Sequence, residues 1–148
     1  MKSAMHEPIH RTEYRVLYGD TDAARMVYYG NYMRYFELGR TEYMRDLVQT
    51  TYREVEEMGL TLPVIECYAR YKAPAAYDDL LAIETSVNEL KNASCRFSYR
   101  IHRKEDDGSL TLLAKGFTVN ASVDGSGKLT RLPVHLTEKL RSILKKAK

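Results

Sequence analysis

Two carboxylates, Asp20 and Asp22, stand one residue apart, a few residues before a predicted helix. One interpretation is a pair of solvated acids that stabilise the positive end of the helix dipole. A calcium loop is excluded because residues 23–26 supply neither the oxygen ligands nor the glycine that such a loop needs. The remaining interpretation is a catalytic carboxylate that faces a helix N-terminus, where free N–H groups can stabilise an oxyanion.

Tyrosine is crowded around these acids: the chain has 12 Tyr and no Trp. Tyr28 and Tyr29 lie at the predicted helix entrance, where they could wall an apolar slot for an acyl or aryl group. Other aromatic residues recur at helical spacing and predict a buried helix face, on which Gly39 indicates close packing. That face consists of Tyr32, Phe36, Gly39, Tyr43 and Leu47.

The elements that must position these residues follow from periodicity. Alternation of apolar and polar residues over residues 14–18 predicts a strand, and helical spacing predicts a helical region over residues 31–58. Within that region, a capping box formed by Thr51 and Glu54 predicts the start of a second helix, and Gly59 predicts its end. Alternating strands joined by tight turns follow, and then a terminal helix with Thr137 as its cap. The order predicts an α+β domain with one long helix on a curved antiparallel sheet of five or so strands, with a dimer partner for its exposed edge.

Composition limits the class of protein. The chain has 148 residues and a formal net charge of +3, which predicts one globular domain, 1–148, with a flexible N-terminus at 1–11. No apolar stretch approaches the roughly 20 residues of a membrane span. Cys67 and Cys95 lie in apolar runs, which predicts reduced core thiols and a cytoplasmic location, and their spacing fits no metal motif.

Other catalytic arrangements find little support. The sequence has no G-x-S-x-G elbow and no Walker or dinucleotide glycine fingerprint. Neither cysteine has a histidine nearby, and the four histidines are too scattered to indicate a ligand set, so we expect no metal site. The mild positive charge suits phosphate-bearing small molecules as well as nucleic acid.

The motifs resemble the hot-dog fold acyl-CoA thioesterases, most closely the 4-hydroxybenzoyl-CoA thioesterase family. The resemblance rests on the Asp20-Thr21-Asp22 segment, the aromatic pair before the helix, and the Phe36-Glu37-Leu38-Gly39-Arg40 stretch within it, and it spans roughly residues 14–132. It implies a sheet wrapped around the long helix, and homodimers with active sites at the subunit interface that often pair into tetramers.

The resemblance also implies roles for individual residues. The family's catalytic carboxylate falls on Asp22, and the backbone N–H at the helix start, the oxyanion donor, falls on Tyr29. Relatives often carry His where this chain has Tyr29, and a tyrosine with an ordinary pKa near 10 is a poor base at neutral pH. The family usually has Gly at the position of Arg25, and Gly there suggests a backbone conformation that Arg adopts only at a cost.

Substrate contacts are expected to follow from the same resemblance. Coenzyme A enters as part of the substrate, with no metal or other cofactor, and an acyl carrier protein is a possible alternative carrier. Basic residues would attract the phosphates, and Ser94 begins a strand that could reach the partner's pocket. The candidate substrate-binding residues are Tyr28, Arg25, Asn31, Lys72, Ser94 and Arg131.

The leading hypothesis is hydrolysis of acyl-CoA or acyl-carrier-protein thioesters, with Asp22 as nucleophile or general base. The alternative is a non-catalytic acyl-CoA sensor of the same fold. Arg25, which replaces the glycine usual in the family, favours this alternative. A hydratase acting on enoyl thioesters ranks last, because it needs an Asp/His pair and no histidine lies in the motif region.

Overall fold

The computed structural model describes residues 5–146, which form a five-stranded antiparallel sheet packed against one long helix, with a small two-stranded sheet and two further helices. The helices are α1 (Asn31–Tyr43), α2 (Tyr52–Glu57) and α3 (Val134–Lys146). The strands are β1 (His10–Arg15), β2 (Leu60–Thr61), β3 (Val64–Tyr71), β4 (Leu80–Leu90), β5 (Ser94–Lys104), β6 (Leu110–Ala121) and β7 (Val123–Asp124).

Helix α1 packs its aromatic face on the middle of the sheet. Phe36 is fully buried and stacks on Tyr99 with ring centroids 4.3 Å apart. A Cβ on Gly39 would lie 2.9 Å from Cγ2 of Ile83, so only glycine lets the helix approach the sheet this closely. Burying a large apolar side chain contributes about 1.5–3 kcal/mol, which exceeds the roughly 1 kcal/mol that glycine costs in a helix. The predicted buried face is confirmed.

The helical region continues beyond α1 as predicted. A π-helical turn, Met44–Val48, follows α1 and ends at Gln49, whose φ is 59°. Thr51 then caps α2 by accepting the N–H of Glu54 through its hydroxyl, and the Glu54 carboxylate accepts the N–H of Thr51. Gly59, with φ 85°, ends this segment in the left-handed region.

The large sheet has the order β1-β4-β5-β6-β3, so β1 and β3 are its edges. Strand β3 carries apolar side chains yet is exposed along nearly its whole length. The prediction that both cysteines are core thiols is therefore half wrong: Cys95 is buried, but Cys67 lies exposed on this edge strand. The apolar run around Cys67 predicted a buried strand because a run of hydrophobic residues does not say whether a neighbour covers it.

Three predicted boundaries are also wrong. The strand predicted over residues 14–18 ends at Arg15, and Tyr18–Asp20 forms a short 3-10 helix. Strand β1 begins at His10, so the part of the flexible 1–11 segment that covers His10 and Arg11 is paired with β4, while residues 1–4 lie outside the described part. Thr137 does not cap α3: the helix starts at Val134, and the Thr137 hydroxyl donates to the Val134 carbonyl within its first turn. Within residues 5–146, no helix is long and apolar enough to cross a membrane.

Candidate active site

The loop between β1 and α1 folds back on itself and presents Asp22 at its tip. The N–H of Asp22 donates to the Met26 carbonyl at 2.9 Å, and the N–H of Arg25 donates to the Asp22 carbonyl at 2.9 Å. The Asp22 side chain is exposed and accepts one hydrogen bond, from the N–H of Ala24 at 2.9 Å. One carboxylate oxygen is therefore held toward the turn while the group as a whole remains open to solvent.

Both ends of this loop are tied to the rest of the fold. The Asp20 carbonyl accepts the N–H of Tyr28 at 2.9 Å and the side-chain amide of Asn31 at 2.8 Å. The N–H of Val27 donates to the Ala75 carbonyl at 2.8 Å. These bonds join the loop to the start of α1 and to the segment before β4. The side chain of Asn31, a candidate substrate contact, is engaged in this loop closure.

Asp20 has an entirely different environment from Asp22. Its side chain is 3% exposed and accepts hydrogen bonds from the hydroxyls of Tyr14, at 2.6 Å, and Tyr35, at 3.1 Å. It also accepts the N–H of Leu17 at 3.0 Å. Burial alone would raise the pKa of Asp20, but these three donors outweigh it and lower the pKa below its ordinary value of 3.8.

The two tyrosines of this cluster were not predicted to bind a carboxylate. Burial and the hydrogen bond to Asp20 raise the pKa of Tyr14 to about 12. Burial and the nearby Asp20 charge likewise raise the pKa of Tyr35. Both hydroxyls thus stay protonated and donate. Tyr14 does belong to the alternating pattern that predicted a strand, but the pattern gives no sign of its partner, which lies six residues further along the chain.

The start of α1 leaves backbone donors without protein acceptors. The first bonds of the helix run from Asn31 to the Tyr28 carbonyl, from Tyr32 to the Tyr29 carbonyl, and from Met33 to the Gly30 carbonyl. Among residues 5–146, the N–H groups of Tyr29 and Gly30 donate to no protein group. Free N–H groups at the positive end of a helix are suited to hold an anion or a developing oxyanion.

Three tyrosines surround this helix start. Tyr29 is 63% exposed, its ring centroid lies 4.7 Å from that of Tyr28, and its carbonyl accepts the Tyr71 hydroxyl at 3.0 Å. A hydrogen bond and charge repulsion between the two neighbouring hydroxyls raise the pKa of Tyr28 above its ordinary value. A Cβ on Gly30 would lie 2.6 Å from Cε2 of Tyr28, so a larger residue at this position would displace the exposed Tyr28 ring.

Arg25 has the unusual backbone conformation expected of the position. Its φ is 67°, in the left-handed region that glycine enters freely and that costs a residue with a Cβ about 1 kcal/mol. The side chain is exposed. Gln49 and Asp78 also have a positive φ, so the conformation of Arg25 does not by itself mark a functional position.

The remaining candidates fall into two groups. Lys72 is exposed and directly follows Tyr71, whose hydroxyl reaches the helix start.

Ser94 begins β5 and pairs with Ala121, whereas Tyr71 pairs with Ala114, seven residues away along β6. At about 3.3 Å per residue this is a separation of about 23 Å. Arg131 is exposed and lies at the Ser94 end, where its carbonyl accepts the Ser122 hydroxyl and Ser122 donates to the Ala93 carbonyl. One chain therefore does not bring Ser94 or Arg131 to the Asp22 loop.

Metal-binding groups are not assembled near the loop. Within the described part of the chain, no group of three or more His, Cys, Asp or Glu side chains is arranged to hold a metal ion. His10 and His102 contact Asp46 and Glu84 at 2.8 and 2.9 Å, and their side chains are 9% and 15% exposed.

Comparison with known proteins identifies the family. Residues 16–140 match the model of the thioesterase-like superfamily. An acyl-CoA thioesterase from Haemophilus influenzae is 38% identical over 115 residues, which cover 78% of this chain and 80% of the relative. The crystal structure of 4-hydroxybenzoyl-CoA thioesterase from a Pseudomonas species superposes with a TM-score of 0.79 at 26% identity, covering 88% of this chain and 98% of the other. This chain belongs to the hot-dog acyl-CoA thioesterase family.

Membership of this thioesterase family confirms the predicted fold, with its five-stranded antiparallel sheet and long central helix. A putative esterase from Aquifex aeolicus is also similar, with 34% identity over 127 residues that cover 86% of this chain and 94% of the relative. The matched residues, 16–140, include the loop with its two acids and strands β2 to β7.

Proposed function

We propose that this protein hydrolyses acyl-CoA thioesters to a free acid and coenzyme A, and that the reaction takes place at the Asp22 loop. The observation that carries the proposal is the combination of an exposed carboxylate at the loop tip with unpaired backbone N–H groups where the same loop enters α1. Hydrolysis of a thioester needs these two elements, a group that attacks or activates water and a donor for the oxyanion.

The N–H of Tyr29 would serve as the oxyanion donor. Attack on the thioester carbonyl places negative charge on its oxygen, and a preorganised N–H directed at that oxygen contributes about 3 kcal/mol to the transition state. The Tyr29 carbonyl is held by the Tyr71 hydroxyl, which fixes the neighbouring peptide groups in place. The exposed rings of Tyr28 and Tyr29 would form part of the acyl pocket wall.

Asp22 would act in one of two ways. As a nucleophile, its carboxylate attacks the carbonyl carbon, the C–S bond breaks with release of the thiolate, and water then cleaves the mixed anhydride to acid. As a general base, it takes a proton from the attacking water and passes it to the leaving thiolate. Neither route requires a metal or a redox group, so coenzyme A takes part only as a portion of the substrate.

Assembly is proposed to complete the site. Strand β3 is an edge with unpaired backbone groups and exposed apolar side chains, including Ile65 and Tyr68, and it ends at Tyr71 beside the helix start. Such an edge favours pairing with a second copy. We propose a homodimer through β3, with further pairing to a tetramer, in which Ser94 and Arg131 act at the loop of the partner. The free thiols of Cys67 and Cys95 support a cytoplasmic location.

A thiol-release assay over short-chain, long-chain and aryl acyl-CoA substrates tests the activity. We expect release with at least one class, and a loss of at least a hundredfold in kcat for Asp22→Asn. Asp106→Asn is the matched control, because Asp106 is also an exposed carboxylate in a turn but lies between β5 and β6, away from the loop.

Two outcomes would overturn the proposal. Near-normal turnover by Asp22→Asn would remove this carboxylate from the chemistry. Thermal stabilisation by acyl-CoA without any release of thiol would indicate the alternative, a binding or sensor protein of the same fold.

A further inference from the structure

Two tyrosines outside the proposed acyl pocket form a stacked pair on the surface. The rings of Tyr18 and Tyr77 lie parallel, with centroids 3.8 Å apart and an interplanar angle of 8°. Tyr18 is 74% exposed and Tyr77 is 45% exposed. We call this pair the tyrosine platform. Large aromatic rings contribute to a fold mainly by burial, so a stack that remains exposed is not explained by packing of the core.

The platform adjoins the loop that carries Asp22. The Tyr18 carbonyl accepts both the N–H of Thr21, at 3.0 Å, and its hydroxyl, at 2.8 Å. Tyr18 therefore belongs to the turn that leads directly into Asp22. A ligand that lies on the platform would extend from the immediate neighbourhood of the proposed catalytic carboxylate.

The backbone of Arg25 lies beside that of the platform residue Tyr77. An isolated antiparallel bridge joins Met26 to Ala76, so Arg25, one residue before Met26, and Tyr77, one residue after Ala76, take neighbouring positions. Among residues 5–146, the guanidinium of Arg25 makes no hydrogen bond or ion pair. The chain thus keeps an unpaired arginine next to an exposed aromatic stack, at a backbone conformation that glycine would adopt more easily.

The Asp22 carboxylate lies in the same turn as Arg25, but within the described residues no ion pair joins the two side chains. Arg15 adds a second positive group, and its guanidinium donates to the Asp78 carbonyl at 2.8 Å. The Asp79 carboxylate accepts the N–H of Ala76 at 2.8 Å and lies 3.7 Å from Arg103, so it already has partners. The Asp78 side chain is exposed, and it is the backbone carbonyl of Asp78 that accepts the hydrogen bond from Arg15.

We propose that Tyr18, Tyr77 and Arg25 form a subsite for the nucleotide end of an acyl-CoA substrate. The adenine base stacks on the open face of the tyrosine platform, and a phosphate group pairs with the Arg25 guanidinium. An aromatic face accepts any base, and arginine is well suited to phosphate because its planar fork matches the phosphate oxygens. The inference rests on the proposed function and deepens it, since an acyl carrier protein presents its thioester without adenine.

Kinetics with two substrates that share one acyl group test this subsite. For Tyr18→Leu and Tyr77→Leu we expect KM for the acyl-CoA to rise roughly tenfold with kcat unchanged, because stacking of one base is lost. KM for the matching acyl-pantetheine, which has the same thioester and no nucleotide, should not change. Tyr18→Phe should keep the wild-type KM, and Leu17→Ala is the matched control for removing an exposed apolar side chain at the adjacent position.

Direct binding separates this inference from the hydrolytic activity. Calorimetric titration of the wild-type protein with adenosine 3′,5′-bisphosphate should show binding that Tyr18→Leu weakens roughly tenfold, while Arg25→Gly weakens it roughly two- to fivefold, as for an exposed ion pair. If the bisphosphate binds but the protein releases no thiol from acyl-CoA, the subsite would stand and the proposed reaction would be rejected.

The subsite itself would be overturned by any of three results. Equal KM increases for acyl-CoA and acyl-pantetheine would assign the tyrosines to the thioester end. Bisphosphate binding that the substitutions do not change, or no bisphosphate binding at all, would remove the nucleotide from the platform. Effects of Tyr18→Leu confined to an acylated carrier protein would assign the platform to a protein partner.

Discussion

Asp20 and Asp22 are separated by one residue, yet the fold gives them opposite surroundings. Asp20 is buried and holds three hydrogen bonds from Tyr14, Tyr35 and the Leu17 N–H. Asp22 is exposed and, within residues 5–146, its side chain accepts only the N–H of Ala24. A buried carboxylate that accepts three hydrogen bonds at one oxygen is held in place, whereas one at a loop tip is available to a substrate.

The contrast indicates that the two acids of this loop have different roles, with Asp20 anchoring the loop and Asp22 available for catalysis. The Asp20 backbone carbonyl and side chain tie the loop to β1 and α1, and this anchoring fixes where the loop tip stands. Asp22 can then remain unpaired because its position is set by its neighbour rather than by its own contacts. Substitutions at Asp20 and its partners should therefore change mainly the stability of the fold, and substitutions at Asp22 should change mainly turnover.

The largest expected effect on stability comes from Asp20→Ala. It leaves the hydroxyls of Tyr14 and Tyr35 without their acceptor, and we expect the free energy of unfolding to fall by about 3 kcal/mol. Urea denaturation followed by circular dichroism measures this loss. Asp106→Ala, at an exposed turn, should change stability by less than about 0.5 kcal/mol. Equal effects at the two positions would contradict the anchoring role.

Removal of one donor at a time should cost less. Tyr35→Phe and Tyr14→Phe each delete one hydroxyl that donates to Asp20, and we expect losses of about 1.5 kcal/mol for each. A double-mutant cycle with Asp20→Asn should show that these losses are not additive. Additive losses would mean that the hydroxyls stabilise the fold by some other contact.

The stability of the protein should depend on pH through Asp20. Its pKa is lowered in the folded state, so the unfolded chain takes up a proton first as the pH falls through the ordinary value of 3.8. The stabilisation is therefore complete above about pH 5 and is lost as the pH falls toward the folded pKa. Denaturation midpoints between about pH 2 and pH 6 measure this slope, which should be shallower in Asp20→Asn. Identical slopes in the two proteins would remove Asp20 from the acid response.

The smallest effect concerns the strained backbone on the Asp22 side of the loop. Arg25→Gly relieves a positive φ and should raise the free energy of unfolding by about 0.5–1 kcal/mol. Gln49→Gly is the matched control, because Gln49 has φ 59° at the end of the π-helical turn, far from the loop in sequence. Both variants should gain stability in thermal melts, and only Arg25→Gly should raise KM for acyl-CoA. A destabilised Arg25→Gly would show that the side chain is held by contacts.

Local patterns predicted the parts of the fold that local physics controls. The capping box at Thr51 and the closely packed Gly39 follow from spacing and residue type, and both are confirmed. The left-handed backbone at Arg25, which was implied by the glycine usual in the family and not by a local pattern, is present as well. Each of these features depends on residues that are near in sequence or on one helix face.

Features that depend on distant neighbours were missed or wrong. Cys67 looks buried in sequence because its run is apolar, but β3 is an edge that no other element covers. The flexible segment was extended too far because His10 finds its partner, Asp46, 36 residues away. The separate environments of the two acids depend on Tyr35, on the helix that follows, and no spacing rule relates that hydroxyl to Asp20.

The separate roles of Asp20 and Asp22 are tested most directly by comparing Asp20→Asn with Asp22→Asn. For each variant, kcat for acyl-CoA hydrolysis and the free energy of unfolding are measured together. We expect Asp22→Asn to lose at least a hundredfold in kcat, about 2.7 kcal/mol of transition-state stabilisation, with stability within about 0.5 kcal/mol of the wild type. Asp20→Asn should lose stability and retain most of its kcat at temperatures where it is folded. A variant Asp22→Asn that hydrolyses acyl-CoA at nearly the wild-type rate would contradict the central claim.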